Sequence, residues 1–369
     1  MTLTRVDVSH FRNIKQASFN PSQQINFIVG ENGAGKTSLL EAISTLTLGR
    51  SFRTRVVKSI ASRGSPKFTL YSEFSSGQTT HKLGVEKTID GKSLFKLDGE
   101  VLKSSAILAN YLPTQVINAD SFQLLTSSPS ERRQFLDWLV FHVKHSFQEY
   151  WQKYNQCLKQ RNVVLKSATI DRLQLEYWDT ELARYAVLVD NERKIVLSDL
   201  SDTFSSHCKA CHFLEGFSIS LEYKRGWPAE HDDYLEYLKS SRERDIRQGF
   251  TGYGPHKSDI KVMYRGVKAA DLFSRGQLKS LALALYATQM DCFLRGNQSV
   301  CRLLVDDLPA ELDENNLSLA FQWLSTIDRC QIFMTAVELN DVMRSGAIKT
   351  INNNKMFHVK HGQITEQTM

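Results

Sequence analysis

Residues Ile25 to Leu40 read INFIVGENGAGKTSLL. Gly30, Gly33, Gly35, Lys36 and Thr37 satisfy the spacing G-x-x-x-x-G-K-[ST]. The glycine-rich segment lies between an apolar run, Ile25 to Val29, and a helix-like segment carrying Leu39, Leu40 and Ile43. That order predicts strand, phosphate-binding loop and helix. Backbone N–H groups of Gly30, Glu31, Asn32, Gly33, Ala34, Gly35, Lys36, Thr37 and Ser38 would converge on the phosphates of a nucleoside triphosphate. Lys36 would neutralise the terminal phosphates, and the Thr37 hydroxyl would sit on Mg²⁺. An ordinary glycine-rich turn would not need both flanks to be correct.

A metal partner should close a buried strand. CRLLVDD, Cys301 to Asp307, is a short apolar run that ends in two carboxylates. Strands of a parallel sheet deliver functional groups at their C-terminal ends, so Asp306 is expected beside Thr37 as a Mg²⁺ ligand through its water shell. Asp307 would then face the attacking water as general base. Its side chain is one methylene shorter than that of Glu, which implies slow hydrolysis.

Between these segments lies FSRGQLKSLALAL, Phe273 to Leu285. Ser274 stands where a helix cap belongs, and Ser274, Gly276 and Gln277 make a second anion site at a helix N-terminus. One phosphate loop already serves one triphosphate tail. This serine is therefore expected to meet, as a catalytic group with Lys36 and Asp307, a nucleotide held by another copy of the chain.

The totals allow this without deciding it. The chain of 369 residues is 41% hydrophobic and 23% charged, a composition that builds a large core. Its 46 Lys and Arg against 40 Asp and Glu give +6, compatible with a polyanionic partner. The first residues alternate apolar and polar without an apolar leader, and no uninterrupted apolar run reaches membrane-spanning length, so a cytoplasmic protein without membrane attachment is expected. Six cysteines are scattered and expected to be reduced. Cys208, Cys211 and His212 spell C-x-x-C-H, with His207 alongside, but without an export signal or a second ligand pair the spacing reads as accidental.

Taken in order, the chain opens with a strand, a turn at Asn20 and Pro21 and the strand that feeds the loop. Past the first helix, Arg50, Arg53 and Arg55 flank Phe52 in a basic segment. Period-two alternation with Asp90-Gly91 and Asp98-Gly99 turns predicts an antiparallel meander over Lys67 to Gly99. QVINAD, Gln115 to Asp120, reads as a buried strand, and Ser128-Pro129 as a helix start. Phe147, Trp151, Tyr154, Leu158 and Leu165, missing a step only at Arg161, and then Trp178, Leu182, Tyr185, Val189, Val196 and Leu200, predict two amphipathic helices in an antiparallel hairpin. Each is expected to be about 35 residues long, or about 50 Å. Strands at Phe217 to Tyr223 and Asp259 to Tyr264 bracket a glycine-rich segment, and helices alternate with strands thereafter. The expected organisation is an α/β head split in sequence, 1–127 and 213–369, with a helical arm at 128–212.

The ordered set GENGAGKT, SRGQLK, LLVDD and ELD, with a helical insertion, resembles the ABC-type ATPase head domains of chromosome-maintenance and repair proteins. More narrowly it resembles the RecF family of bacterial replication and recombination-repair proteins, with SPSERRQFLDW (Ser128 to Trp138) and GPHKSD (Gly254 to Asp259) similar to that family's own signatures. The resemblance implies a mixed sheet with an antiparallel β subdomain and an inserted α-helical arm. It implies Walker A at Gly30 to Thr37, signature at Ser274 to Gln277, Walker B at Leu303 to Asp306 and D-loop at Glu311 to Asp313. It further implies a weak, DNA-stimulated ATPase that dimerises on ATP, binds junctions of single- and double-stranded DNA in gaps, and works with RecR and RecO to load RecA. Arg53, Arg55, Arg132 and Arg133 are the candidates for the DNA face. Lys257 departs from the arginine usual in that family, and no switch histidine follows the last apolar strand, where Thr335 is the candidate sensor. Asn118 and Gln123 are the polar candidates for the Q-loop. A P-loop kinase or GTPase is disfavoured because Asn354-Lys355 is followed by Met356-Phe357 rather than x-Asp. The ATPase subunit of a membrane transporter shares the signature class, but a long helical hairpin inserted before the signature suits a DNA-repair head better, and a purely structural chromosome protein would need far longer coils than this arm offers.

Overall fold

The structure, a computed structural model, describes residues 1–210, 218–338 and 354–367. In chain order, β1 (Thr2–Phe11), β2 (Ile14–Phe19) and β3 (Ile25–Val29) precede α1 (Lys36–Leu48) and the single turn α2 (Val57–Ile60). β4 (Lys67–Ser76), β5 (Thr79–Thr88), β6 (Ser93–Leu97) and β7 (Glu100–Val101) form the meander, followed by α3 (Ala106–Tyr111) and β8 (Thr114–Ile117). Then come α4 (Pro129–Val143), α5 (Phe147–Leu165), α6 (Arg172–Ala210), β9 (Ile219–Lys224), α7 (Tyr234–Ser240) and α8 (Arg242–Gln248). β10 (Asp259–Tyr264), β11 (Val267–Lys268), α9 (Ala269–Leu272) and α10 (Arg275–Gly296) follow, and the chain closes with β12 (Cys301–Val305), α11 (Leu308–Glu311), α12 (Glu314–Thr326), β13 (Cys330–Ala336), β14 (Asn354–Lys360) and β15 (Gln363–Gln367).

The chain forms two compact units, residues 1–122 with 298–369, and residues 123–297. The first unit holds two six-stranded sheets, β2-β1-β4-β5-β6-β7 and β15-β14-β3-β13-β12-β8. The first sheet is antiparallel throughout. In the second, β14, β3, β13, β12 and β8 run parallel and only β15 is antiparallel. Every residue of β3, β12 and β13 is buried, as a strand covered on both faces requires. Helix α1 packs against β13 and β8 of one sheet and β1 and β4 of the other, burying Leu39, Leu40, Ile43 and Leu46. It is enclosed all round, so its polar residues need internal partners. Thr45 and Thr47 donate to carbonyls four residues back, and the fully buried Glu41 accepts two hydrogen bonds from Arg12, at 2.9 and 2.8 Å.

Among the strands not anticipated individually are β2 and β14. β2 makes a hairpin with β1 about a tight turn at Arg12 and Asn13, and β14 lies beside β3 in the parallel sheet. Phe357 and Val359 of β14 join the core of this unit.

In the second unit, α5 and α6 pack antiparallel, with Ser146 hydrogen-bonded to Glu192 near one end and Arg161 to Asp179 near the other. The helices are unequal, 19 and 39 residues, where two of similar length were expected. The gap in the apolar series at Arg161 is buried too, and its guanidinium bonds Asp179 at 2.6 Å, Asp245 at 2.8 Å and Thr251 at 2.8 Å. A three-stranded sheet, β11-β10-β9, and α10 complete the unit, with α10 packed on α4 and α6. The segment 128–212 thus shares its compact unit with everything through Asn297. No described helix is long and apolar enough to cross a membrane.

Candidate nucleotide-binding site

The loop after β3 is shaped by three glycines with different jobs. A Cβ on Gly30 would lie 2.3 Å from the Val359 carbonyl oxygen of β14, so only glycine lets the loop leave the sheet there. Gly33 and Gly35 sit at φ 80° and 119°, where a side chain is strained. Gly35 is the N-cap of α1 and no side chain caps that helix, which leaves first-turn N–H groups for an anion. From below, the Asn13 amide donates to the carbonyls of Ala34 at 3.2 Å and Gly33 at 3.4 Å, and Gly362 N–H donates to Ala34 at 2.9 Å. Sequence reasoning missed Asn13, Val359 and Gly362. Asn13 and Gly362 leave only turn composition as a trace in the sequence, which does not say what the turn supports, and Val359 lies within β14.

Lys36 is buried and its ammonium donates to the carbonyls of Gly30 at 2.6 Å and Glu31 at 3.1 Å. Burial lowers its pKa, and the carboxylates of Asp307 and Asp306 oppose that shift. Register aligns Val29 with Ala336 and Val305 with Met334, so the loop and both carboxylates leave the same edge of the parallel sheet. There the Thr37 hydroxyl donates to Asp306 Oδ1 at 3.0 Å. Thr335 donates to the same oxygen at 2.8 Å, and its own oxygen accepts from the Asp307 N–H at 2.8 Å. Asp307 adopts φ 50° and ψ 46°, unusual for a non-glycine residue. A hydroxyl and a carboxylate this close are hard oxygen ligands of the kind Mg²⁺ takes, and neither hydrogen bond uses Asp306 Oδ2. The donor set therefore fits the ion.

Asn118, a Q-loop candidate, closes a local turn by accepting from Ser121 N–H at 3.1 Å, and Gln123 is exposed. Asp313 of the D-loop segment caps α12, accepting from Asn316 N–H at 2.9 Å, and that bond holds its carboxyl below the usual range.

In the second unit, Ser274 caps α10 in a capping box. Its Oγ accepts from Gln277 N–H at 3.4 Å, and the Gln277 side chain accepts from Ser274 N–H at 2.9 Å. Ser274, Arg275 and Gly276 are exposed. A Cβ at Gly276 would meet nothing of this chain within 4 Å, so the packing gives no reason for a residue that weakens a helix by about 1 kcal/mol.

The basic candidates divide. Arg53 and Arg55 are exposed, with Arg53 3.6 Å from Glu41. Arg132 and Arg133 are bonded within the protein. Arg132 is bound bidentately to Asp259 at 2.7 and 3.0 Å and donates to the Ser127 carbonyl, while Arg133 donates to the Ser258 carbonyl at 2.7 Å. Their guanidinium groups hold α4 against the GPHKSD segment. The two signature-like stretches are in fact one cluster, because the buried Arg193 of α6 bonds Asp137 twice at 2.8 Å, the Pro255 carbonyl at 2.8 Å and Ser258 Oγ at 3.0 Å. His256 accepts from or donates to Tyr154 OH at 2.6 Å, and burial pushes its pKa down to about 4. At neutral pH the ring is uncharged.

Of the C-x-x-C-H residues, Cys211 and His212 lie outside the described residues. Cys208 is buried and not disulfide-bonded, and His207 is 2.8 Å from Asp291. Among the described residues no group of three or more His, Cys, Asp or Glu could hold a metal.

The RecF/RecN/SMC N-terminal domain family matches residues 2–364. The DNA replication and repair protein RecF of Cellvibrio japonicus is 40% identical over 366 residues, 99% of each chain. That of Teredinibacter turnerae is 39% identical, covering 98% of this chain and 96% of its own. Among solved structures, the recombination mediator protein RecF with ATP, of the RecFOR pathway, superposes with a TM-score of 0.87 at 23% identity, covering 100% of this chain and 98% of that one. An Smc head bound to the C-terminal winged-helix domain of ScpA gives 0.60 at 15% identity, covering 100% and 99%. These two likenesses show the fold, a RecF- and Smc-like head of mixed α/β construction. On sequence, the chain belongs to the RecF/RecN/SMC N-terminal domain family and, within it, to the RecF proteins.

Proposed function

We propose that this chain is an ATP-operated DNA-binding protein of replication and recombinational repair. The observation that carries the reading is the meeting of Lys36, Thr37, Asp306 and Asp307 at one edge of the parallel sheet, with an uncapped helix N-terminus between them. ATP phosphates are held by the loop N–H groups and Lys36. Mg²⁺, when bound, neutralises phosphate charge; Thr37 and Asp306 are the residues that would hold it. Asp307 orients and deprotonates the attacking water, slowly because its reach is short.

The exposed cap of α10 is the lid. Ser274, Gly276 and Gln277 of one copy meet the triphosphate held by the other, so ATP joins two copies and hydrolysis releases them. Support comes from a glycine at 276 that no packing within the chain explains. The closed dimer holds DNA at a junction of single and double strands through phosphate-led contacts from Arg53 and Arg55, and it works with RecO and RecR to load RecA. The relatives named as replication and repair proteins, and the solved relative of the RecFOR pathway, support that setting.

Sedimentation velocity with and without ATP, then with gapped DNA, tests the reading. Wild type is expected to sediment faster with ATP and to retain gapped DNA, and Lys36→Arg to do neither. ATP-dependent pairing that survives Lys36→Arg would overturn it.

A further inference from the structure

A threonine hydroxyl has one proton to give. That of Thr335, fully buried on β13, is given to Asp306 Oδ1 at 2.8 Å, and its oxygen is already accepting from the Asp307 N–H at 2.8 Å. The place where a phosphate sensor was expected therefore holds a side chain whose only donor is committed within the protein. Both of these partners are the carboxylate residues that follow β12.

We infer that Thr335 is the positioning residue of this site, orienting Asp306 through its carboxylate and Asp307 through its backbone. The inference rests on the nucleotide reading above. Thr37 and Thr335 approach the same oxygen of Asp306, at 3.0 and 2.8 Å, one from the first turn of α1 and the other from the end of β13. Two donors on Oδ1 restrict the rotamer, and neither bond uses Oδ2. The backbone of Asp306 is itself tied to β8, its N–H donating to the Ile117 carbonyl at 2.8 Å. The carboxylate thus has little freedom left.

For Asp307 the argument is conformational. Its φ of 50° and ψ of 46° are a left-handed geometry that a non-glycine residue keeps only when its surroundings enforce it. The Thr335 oxygen is the acceptor that receives its N–H, and this geometry decides where its side chain leaves the strand end. β13 neighbours β3 on its other side, so one side chain ties the metal-binding and water-facing carboxylates to the sheet that also carries the loop. A merely satisfied core threonine would contribute to stability and nothing else.

Thr335→Val keeps the shape and removes both bonds, and Thr335→Ser keeps both. In the full-length protein, Thr335→Val is expected to bind ATP in EDTA within about twofold of wild type, to hydrolyse it about 10- to 100-fold more slowly per folded molecule, and to need more Mg²⁺ for half-maximal rate. Thr335→Ser should recover the rate and the Mg²⁺ dependence. A crystal structure of Thr335→Val should show Asp307 out of its left-handed conformation. Wild-type rate and Mg²⁺ dependence in Thr335→Val, or a loss matched by the unfolded fraction, would overturn the inference alone. A parent chain that binds no ATP would defeat the nucleotide reading itself.

Discussion

The sheet edge carrying Lys36 and Asp306 and the cluster joining Ser128–Trp138 to Gly254–Asp259 look alike as text, since both are short, charged and glycine- or proline-marked. In the structure they do opposite things. At the sheet edge the helix N-terminus is uncapped and the neighbouring hydroxyls use one oxygen of the Asp306 carboxylate. In the cluster, Arg132 and Arg193 each form bidentate pairs with carboxylates, and Arg133 and His256 are bonded to a carbonyl and a tyrosine. The first region keeps polar capacity for a ligand, and the second spends it on the fold. A charged motif is evidence of a binding site only when its groups are left under-committed.

Removing a charge should therefore cost stability in one region and chemistry in the other. Arg193→Met leaves Asp137, Ser258 and the Pro255 carbonyl without their donor, and is expected to destabilise the protein by about 3–5 kcal/mol, read as a lower urea midpoint. An unchanged midpoint would place the cluster with the sites rather than the scaffold. Asp307→Asn should do the reverse, slowing hydrolysis about 100-fold with an unchanged melting temperature and ATP affinity. Equal losses of stability and rate would erase the contrast.

His256 sharpens it by pH. Its folded pKa of about 4 is depressed below the ordinary value near 6.5, so the unfolded chain takes up the proton first as pH falls. The stabilisation is complete above pH 6.5 and drains away toward pH 4, by at most about 3 kcal/mol. Urea midpoints across that window should fall more steeply for wild type than for His256→Asn. The smallest effect is expected at the exposed arginines. Arg53→Ala with Arg55→Ala should weaken DNA binding about tenfold and lower the salt-dependence slope by about 2, leaving ATP binding alone.

Much of the head was legible because its signals are local. Ile25–Leu40 and Cys301–Asp307 each carry strand period, loop chemistry and terminus within a few residues. The helices about Trp151 and Leu182 announced themselves by period, and Arg161, the gap in the first series, is a buried ion-pair partner. What was not legible depends on distant pairing. Asn13 and Gly362 lie far apart in sequence and meet beneath the loop, where a Cβ on Gly362 would stand 2.4 Å from the Asn13 carbonyl oxygen. Arg132 reads as a surface cation until its partner Asp259, far along the chain, is known.

The central claim is that the cradle and the lid of each nucleotide come from different copies. Mixing Lys36→Arg with Ser274→Arg tests it directly, because a mixed pair contains one site in which both parts are wild type. Each variant alone should be inactive, and an equal mixture should regain up to about a quarter of wild-type ATPase, the statistical share of intact sites in a symmetric dimer. A mixture as inactive as its components would contradict the claim.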